Sequence, residues 1–231
     1  MKRMFGHWTL LETLFLVLSE LAVTLCFVFS PDKNILSFIV SFIGVLATLV
    51  LAKGLTIAPI VNMCYGIVYS ALAISQRYYG EAIVYLGFVI PIILVSIIAW
   101  LKNKNKNNDS VITINKIKGA EYGYLSIAVI VATFGFYFLL RALNTDELVL
   151  STMSLVSSAV AWYLMFRRCS YYAIGFIVNE TILIILWAVA VVNNGFGYLP
   201  MMVCCCVFLV SEIYGFIYWK IEEKRQTSER L

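Results

Sequence analysis

The side chains best suited to chemistry in this sequence are amides and carboxylates that interrupt long apolar segments. Such groups are costly in hydrocarbon, so they usually face a water-filled cavity or a partner helix. The positions are Glu20, Asn62, Asn179, Glu180, Ser211 and Glu212. Their chemistry is that of binding, through hydrogen bonds and charge attraction.

Asn179 belongs to the most informative pattern. Helical spacing places this amide among three aromatic rings on one face, formed by Tyr172, Gly175, Phe176, Asn179, Leu183 and Trp187. Such a face suits a flat heteroaromatic ligand. The alternative is that Asn179 hydrogen-bonds a neighbouring helix and only holds two helices together.

Two carboxylates, Glu180 and Glu212, offer a different contact. If they line a pathway, they attract a cation such as a pyridinium or thiazolium ring, and nearby tyrosines add cation–π attraction. If they do not, one is protonated or paired between helices, and the sequence favours neither reading. Tyr69, Tyr85 and Asn62 complete the candidate substrate-binding residues, although each alone is more often a packing residue.

Signals for catalysis and for metal binding are missing from the sequence. It has no GxSxG, P-loop or HExxH motif. Its single histidine, His7, and its six cysteines form no CxxC pattern. We therefore expect no enzyme activity, no metal site and no cofactor.

The elements that position these residues are long apolar segments. The chain is 62% hydrophobic and 13% charged, whereas soluble domains are about half apolar and about a quarter charged. Eight continuously apolar stretches approach the roughly 20 residues that a helix needs to cross a bilayer. They run over residues 10–30, 35–52, 55–75, 79–101, 122–142, 148–166, 171–192 and 195–219. The sequence predicts an all-α membrane protein with about eight transmembrane helices.

Basic residues are distributed unevenly among the connections. With a cytoplasmic N-terminus, 14 of the 17 Lys and Arg residues fall on the cytoplasmic side, and only Lys33, Arg77 and Arg141 fall outside. The positive-inside rule predicts a multi-pass protein of the cell inner membrane with both termini in the cytoplasm. The net charge of +4 is then a topology signal. We expect the lipid bilayer, and no nucleic acid, as a partner.

A polar stretch at residues 102–121 divides the chain into two comparable halves. An odd connecting helix allows two three-helix units to enter the membrane in the same sense, as in parallel-repeat transporters. We predict an extra N-terminal span (1–34), a first bundle (35–101), a linker with a connecting span (102–147), a second bundle (148–219) and a cytoplasmic tail (220–231). Each half has a basic turn followed by a buried amide, Asn62 or Asn179.

Several short stretches of the sequence resemble the PnuC family of vitamin transporters. In the first half they are LAKGLTIAP (51–59), Val68-Tyr69, Tyr79-Gly80-Glu81, Pro91 and Trp100. In the second half they are Ser158, Ala161, Leu164, Arg167, Asn179, Gly215 and Trp219. The resemblance covers roughly residues 40 to 220 and depends on the order and spacing of these pieces.

The resemblance implies a fold of two three-helix bundles joined by one helix, similar to SWEET transporters, with an added N-terminal span. It also implies a homotrimer that moves a small-molecule substrate by facilitated diffusion. The substrate, nicotinamide riboside or a similar vitamin, is expected to lie between the bundles and to feed NAD biosynthesis after phosphorylation in the cytoplasm.

The sequence departs from the family pattern at several positions. Asn179 matches the asparagine of the WxxWxxxN element, but Tyr172 and Gly175 replace its two tryptophans, and Tyr85 and Ile93 replace an asparagine and a glutamine. Gly175 is expected to leave room beside Tyr172 for a bulkier ring system. Thiamine, riboflavin and a deoxynucleoside therefore stay open as substrates, as does a non-transporting membrane scaffold or sensor.

Overall fold

The computed structural model describes residues 8–29, 35–75, 82, 84–105, 110–145, 147–194 and 199–228. Eight helices in these ranges are long and apolar enough to cross a membrane. They are α1 (Leu10–Phe29), α2 (Ile35–Ala52), α3 (Ala58–Ser75), α4 (Tyr85–Lys102), α5 (Gly119–Ala142), α6 (Leu148–Phe166), α7 (Tyr172–Asn194) and α8 (Leu199–Ser228). The prediction of an all-α fold with eight spans is confirmed.

Several helix ends differ from the prediction. α3 begins at Ala58, three residues after the predicted start. α5 begins at Gly119, just after the extended residue Lys118, and α8 continues to Ser228 instead of ending near residue 219. The motif Tyr79-Gly80-Glu81, the histidine His7 and the loop cations Lys33 and Arg77 lie outside the described residues.

Helix α4 opens with a π-helical turn, Tyr85–Val89, before its regular part begins at Ile90. Pro91 follows directly, and a proline has no backbone N–H with which to continue the hydrogen-bond ladder. Such wide turns often occur at functional sites. Here the turn carries Tyr85 and Val89, which both line the central cavity.

The helices pack as two three-helix groups. In the first group α3 packs against α2 and α4, and in the second α7 packs against α6 and α8. The groups meet where α2 contacts α8 and where α4 contacts α6. Helix α5 lies against α6, and the extra helix α1 lies against α2 and α8. This is the arrangement of two bundles, one connecting helix and one added N-terminal helix.

The turns that end α2 and α6 repeat each other closely. Gly54 and Arg168 both have a positive φ, 60° and 58°. The next residue donates its N–H five positions back in both turns, Leu55 to Val50 at 3.3 Å and Cys169 to Leu164 at 3.0 Å. This is the Schellman geometry of a helix C-terminus. Aligning the turns pairs Asn62 with Phe176, so the two amides, Asn62 and Asn179, are not equivalent positions.

Two buried tryptophans cross between the bundles at these turns. Trp100 at the end of α4 donates its indole N–H to the Met165 carbonyl of α6 at 3.1 Å. Trp219 in α8 donates its indole N–H to the Leu51 carbonyl of α2 at 3.2 Å. Each bundle therefore donates a second hydrogen bond to a C-terminal carbonyl of the other, beside the turn N–H groups of Gly54 and Arg168 that donate to the same two carbonyls. The two rings also pack together, with centroids 5.9 Å apart.

Residues 110–118 of the polar linker form a strap across both turns. Its Ile112 N–H donates to the Gly54 carbonyl at 3.1 Å, and its Asn115 N–H donates to the Arg168 carbonyl at 3.0 Å. Gln226, in the extended part of α8, accepts from the Ile114 N–H at 2.9 Å and donates to the Ile112 carbonyl at 3.0 Å. The linker and the end of α8 together cover this end of the bundle pair.

Helix α1 is fixed by a buried ion pair. Lys53 Nζ lies 2.7 Å from Glu12 Oε2, and both side chains are at most 5% exposed. Tyr214 donates its hydroxyl to the same carboxylate. Thr9 and Glu12 also form a reciprocal capping box at the start of the helix. The first span is therefore attached to the α2–α3 turn and to α8.

Candidate central substrate cavity

A cavity of about 170 Å³ lies between the two bundles. Its lining comes from α2, α3, the start of α4, α6, α7 and α8, and the described residues of α1 and α5 contribute none of it. The cavity thus lies where the two three-helix groups face each other. Buried, mostly apolar hollows with a few polar groups are the usual form of small-molecule sites.

One wall is a cluster of tyrosines. Tyr69 and Tyr85 have ring centroids 4.4 Å apart, and Tyr65 stacks on Tyr69 at 5.7 Å. Phe208 of α8 meets Tyr65 edge to face at 6.5 Å. Gly44 makes this meeting possible, because a Cβ there would lie 2.8 Å from the Phe208 ring. The wall presents aromatic faces to the cavity and suits a flat or cationic ring.

The second bundle supplies another aromatic pair. Trp162 of α6 and Phe176 of α7 meet edge to face, with centroids 5.3 Å apart and planes at 89°. Both residues line the cavity, as does Trp187 further along α7. A planar molecule between the bundles would therefore contact aromatic groups from both sides.

Asn179 lines the cavity and also joins two helices. Its Oδ1 accepts from the Ser154 hydroxyl at 2.8 Å and from the Ser157 hydroxyl at 3.4 Å, both in α6. Its Nδ2 approaches Glu180 Oε1 at 3.5 Å, a long contact. The interhelical role is therefore present in the structure, and the amide N–H groups are the part of Asn179 with capacity left for a ligand.

Asn62 is the amide of the first bundle. It is buried, lines the cavity, and donates from Nδ2 to the Ala58 carbonyl at 3.0 Å within its own helix. A weaker contact of 3.4 Å reaches the Ala47 carbonyl of α2. Asn62 thus also combines a position at the cavity with a link between helices.

Both carboxylates, Glu180 of α7 and Glu212 of α8, line this cavity. They are 7% and 3% exposed, and one oxygen of each, Oε2, has no hydrogen-bond partner among the described residues. Their position at the cavity places both carboxyl groups where a bound molecule could contact them, and both readings from the sequence stay predictions.

Tyr172 and Gly175 do not belong to the cavity lining, contrary to the expectation that they share it with Asn179. Tyr172 is fully buried against Trp219, with ring centroids 4.6 Å apart. A Cβ on Gly175 would lie 2.8 Å from Cβ of Ala161. The glycine therefore serves the close approach of α6 and α7, and the space that we expected beside it is filled by α6.

The predicted stripe on α7 holds further along the helix. Phe176, Asn179, Leu183 and Trp187 all line the cavity, together with Glu180. The sequence did not predict the contribution of α6, which consists of Leu155 and of Ser154, Ser158 and Trp162. The last three are four residues apart. This spacing places the three residues on one helical face. That pattern is the sequence signal from which the lining of α6 could have been predicted.

Comparisons with known proteins agree with this architecture. A profile of the family described as nicotinamide mononucleotide transporter matches residues 34–221. The nicotinamide riboside transporter PnuC of Neisseria mucosa is 27% identical over 235 residues, which span 99% of this chain and 88% of that protein. The crystal structure of the vitamin B3 transporter PnuC superposes with a TM-score of 0.83 at 25% identity, covering 97% of both chains. The chain therefore belongs to the nicotinamide mononucleotide transporter family.

Proposed function

We propose that this protein carries nicotinamide riboside across the cell inner membrane by facilitated diffusion. The observation that supports this most directly is the cavity between the two bundles, with aromatic rings on both walls and two amides and two carboxylates among its lining. The relative from Neisseria mucosa is named for nicotinamide riboside. The cargo is released unchanged, so no catalytic residue is assigned.

The proposed roles of the lining follow from its chemistry. Tyr69, Tyr85 and Phe176 would hold the pyridine ring by stacking and edge contacts, and Asn179 would donate from Nδ2 to the carboxamide oxygen or a ribose hydroxyl. Asn62, in the first bundle, would hydrogen-bond the opposite end of the ligand. Tyr172 and Gly175 would act indirectly, by setting how closely α6, α7 and α8 pack.

The proposed orientation has both termini in the cytoplasm. It is supported by the concentration of Lys and Arg in the N-terminus, the two helix-ending turns, the linker and the C-terminus. In this orientation the crossed tryptophans and the linker strap lie at the cytoplasmic end. The cargo would then reach the cytoplasm only after that end opens.

A homotrimer is the proposed assembly. Among the described residues, helix α5 packs mainly along α6 and leaves large apolar residues outside, such as Tyr124 at 74% exposed and Val131 at 66%. In a membrane this face meets lipid or a neighbouring copy. Native mass spectrometry in nanodiscs distinguishes the two, since a trimer of 26.1 kDa chains has three times the monomer mass.

Uptake into proteoliposomes tests the function. Purified protein should equilibrate radiolabelled nicotinamide riboside without ATP, and a protonophore should not change the initial rate while valinomycin and equal potassium hold the membrane potential at zero. Thiamine, riboflavin and a deoxynucleoside form the comparison panel. Accumulation above equilibrium that the protonophore abolishes would contradict facilitated diffusion. If only another member of the panel is transported, that compound is the substrate instead of nicotinamide riboside.

A further inference from the structure

The lining of the central cavity holds two acidic side chains and no compensating base. Among the described residues, it includes the carboxyl groups of Glu180 and Glu212 but no Lys or Arg. Two cations of the helix-ending turns, Lys53 and Arg167, are paired with other carboxylates, Glu12 and Glu121. A molecule that enters the cavity therefore meets two acidic groups that no basic side chain of the lining compensates.

Both carboxylates are removed from water. Glu180 is 7% exposed and Glu212 is 3% exposed, and the Oε2 atom of each is buried without a hydrogen-bond partner in the described part of the chain. A buried polar atom left unpaired costs free energy, and a buried charge costs more. A bound cation would relieve that cost, whereas a bound phosphate would add to it.

The surrounding rings favour the same class of ligand. Tyr65, Tyr69 and Tyr85 form a contiguous aromatic wall, and aromatic faces attract delocalised cations most strongly when water is excluded. Among the described lining residues, neither wall offers a donor array of the kind that binds phosphate, such as an arginine pair.

We infer that Glu180 and Glu212 are the specificity-determining counterions of this site, selecting flat, permanently cationic, unphosphorylated cargo over neutral or anionic molecules of the same shape. The inference deepens the proposed function, since the oxidised pyridine ring of nicotinamide riboside carries a positive charge. It extends equally to other planar organic cations, and it assigns the selection to two named side chains.

A pair of ligands separates charge from shape. Nicotinamide riboside and its reduced 1,4-dihydropyridine form have nearly the same outline, but only the oxidised form is cationic. Binding of each is measured by calorimetry in detergent to the wild type and to Glu180→Gln, Glu212→Gln and Glu20→Gln. Glu20 is the matched control, because it also has an unpaired Oε2 but does not line the cavity.

The wild type should bind the cationic form at least about 30-fold more tightly than the neutral form, since losing one partner of a buried charge pair costs about that factor or more. Glu180→Gln and Glu212→Gln should each lose most of this preference while binding the neutral form as before, and Glu20→Gln should keep it. Equal wild-type affinity for both forms overturns the inference without any variant. So does an equal loss of both ligands in folded variants.

The outcome also separates this inference from the proposed function. If the wild type binds neither form but binds thiamine, another planar cation, in a manner that Glu180→Gln weakens, the nicotinamide riboside assignment fails and the counterion role stands. If the wild type prefers nicotinamide mononucleotide, the phosphorylated form, or a neutral panel member such as riboflavin, the counterion role fails. Thermal unfolding of each ligand-free variant verifies that every comparison uses folded protein.

Discussion

The double role of Asn179 leads to the most informative mutational prediction. Its Oδ1 accepts hydrogen bonds from Ser154 and Ser157, while its Nδ2 has only the long contact with Glu180. Replacing Asn179 with alanine removes both the interhelical bond and the group proposed to bind the ligand. Replacing Ser154 with alanine removes the shorter interhelical bond and leaves the amide in place.

The two variants should therefore differ in binding and agree in stability. Hydrogen bonds between transmembrane helices contribute about 0.6 kcal/mol on average and up to about 1.7 kcal/mol, so both variants should unfold slightly more easily. Leaving a buried ligand group unpaired costs about 1–3 kcal/mol, so Asn179→Ala should weaken binding about 5-fold to 150-fold. Ser154→Ala should change binding by less than about 3-fold.

The assay is ligand binding by calorimetry beside thermal unfolding in the same detergent, for the wild type, both single variants and the double variant. Non-additive stability in the double variant would confirm the Ser154–Asn179 bond. The ligand role fails if folded Asn179→Ala binds every vitamin of the panel as the wild type does. Asn179 would then be an interhelical residue only.

Three further predictions concern the framework. Gly175→Ala should cost about 1–3 kcal/mol of stability through overpacking, and adding Ala161→Gly should restore part of that loss. Gly175→Trp should fail to fold instead of changing ligand preference. A stable Gly175→Trp variant would contradict this packing. Lys53→Met should cost about 3–5 kcal/mol because it leaves the buried Glu12 carboxylate without its cation. Adding Glu12→Met should recover most of that loss in a denaturation assay, whereas additive losses would exclude the ion pair. A periplasmic reporter fused after Leu231 should be silent, and activity would reverse the proposed orientation.

The sequence predicted the helices well because the dominant signal in a membrane protein is local. Long apolar runs fix where α2 and α6 begin and end within a residue of the predicted bounds. The apolar signal misplaces a helix end where polar residues lie inside the helix because they bind another segment. The charged residues after Trp219 indicated a tail, but α8 continues to Ser228 because Gln226 points back to hold the linker. That contact joins residues more than a hundred positions apart.

Helical spacing also predicted the α7 stripe but not its limits. Spacing tells which residues share a face, whereas the distance between neighbouring helices decides which part of that face remains open. At Gly175 the Ala161 backbone closes the gap, with Cα 3.0 Å from a built Cβ. One turn later, Asn179 lines the cavity while it still accepts a hydrogen bond from Ser154 of α6. Helix tilt and separation depend on the whole packing arrangement, which a periodic pattern does not contain.

The crossed tryptophans relate this packing to transport. Trp219 binds the carbonyl of Leu51, a residue that lines the cavity, and Trp100 binds the carbonyl of Met165 in the other bundle. The linker strap binds carbonyls three residues further on, at Gly54 and Arg168. Moving one bundle away from the other at this end would break the two tryptophan bonds, which both cross between the bundles. Because Glu180 and Glu212 lie on two helices of the second bundle, the proposed cation between the bundles would lie at the same interface that these bonds join.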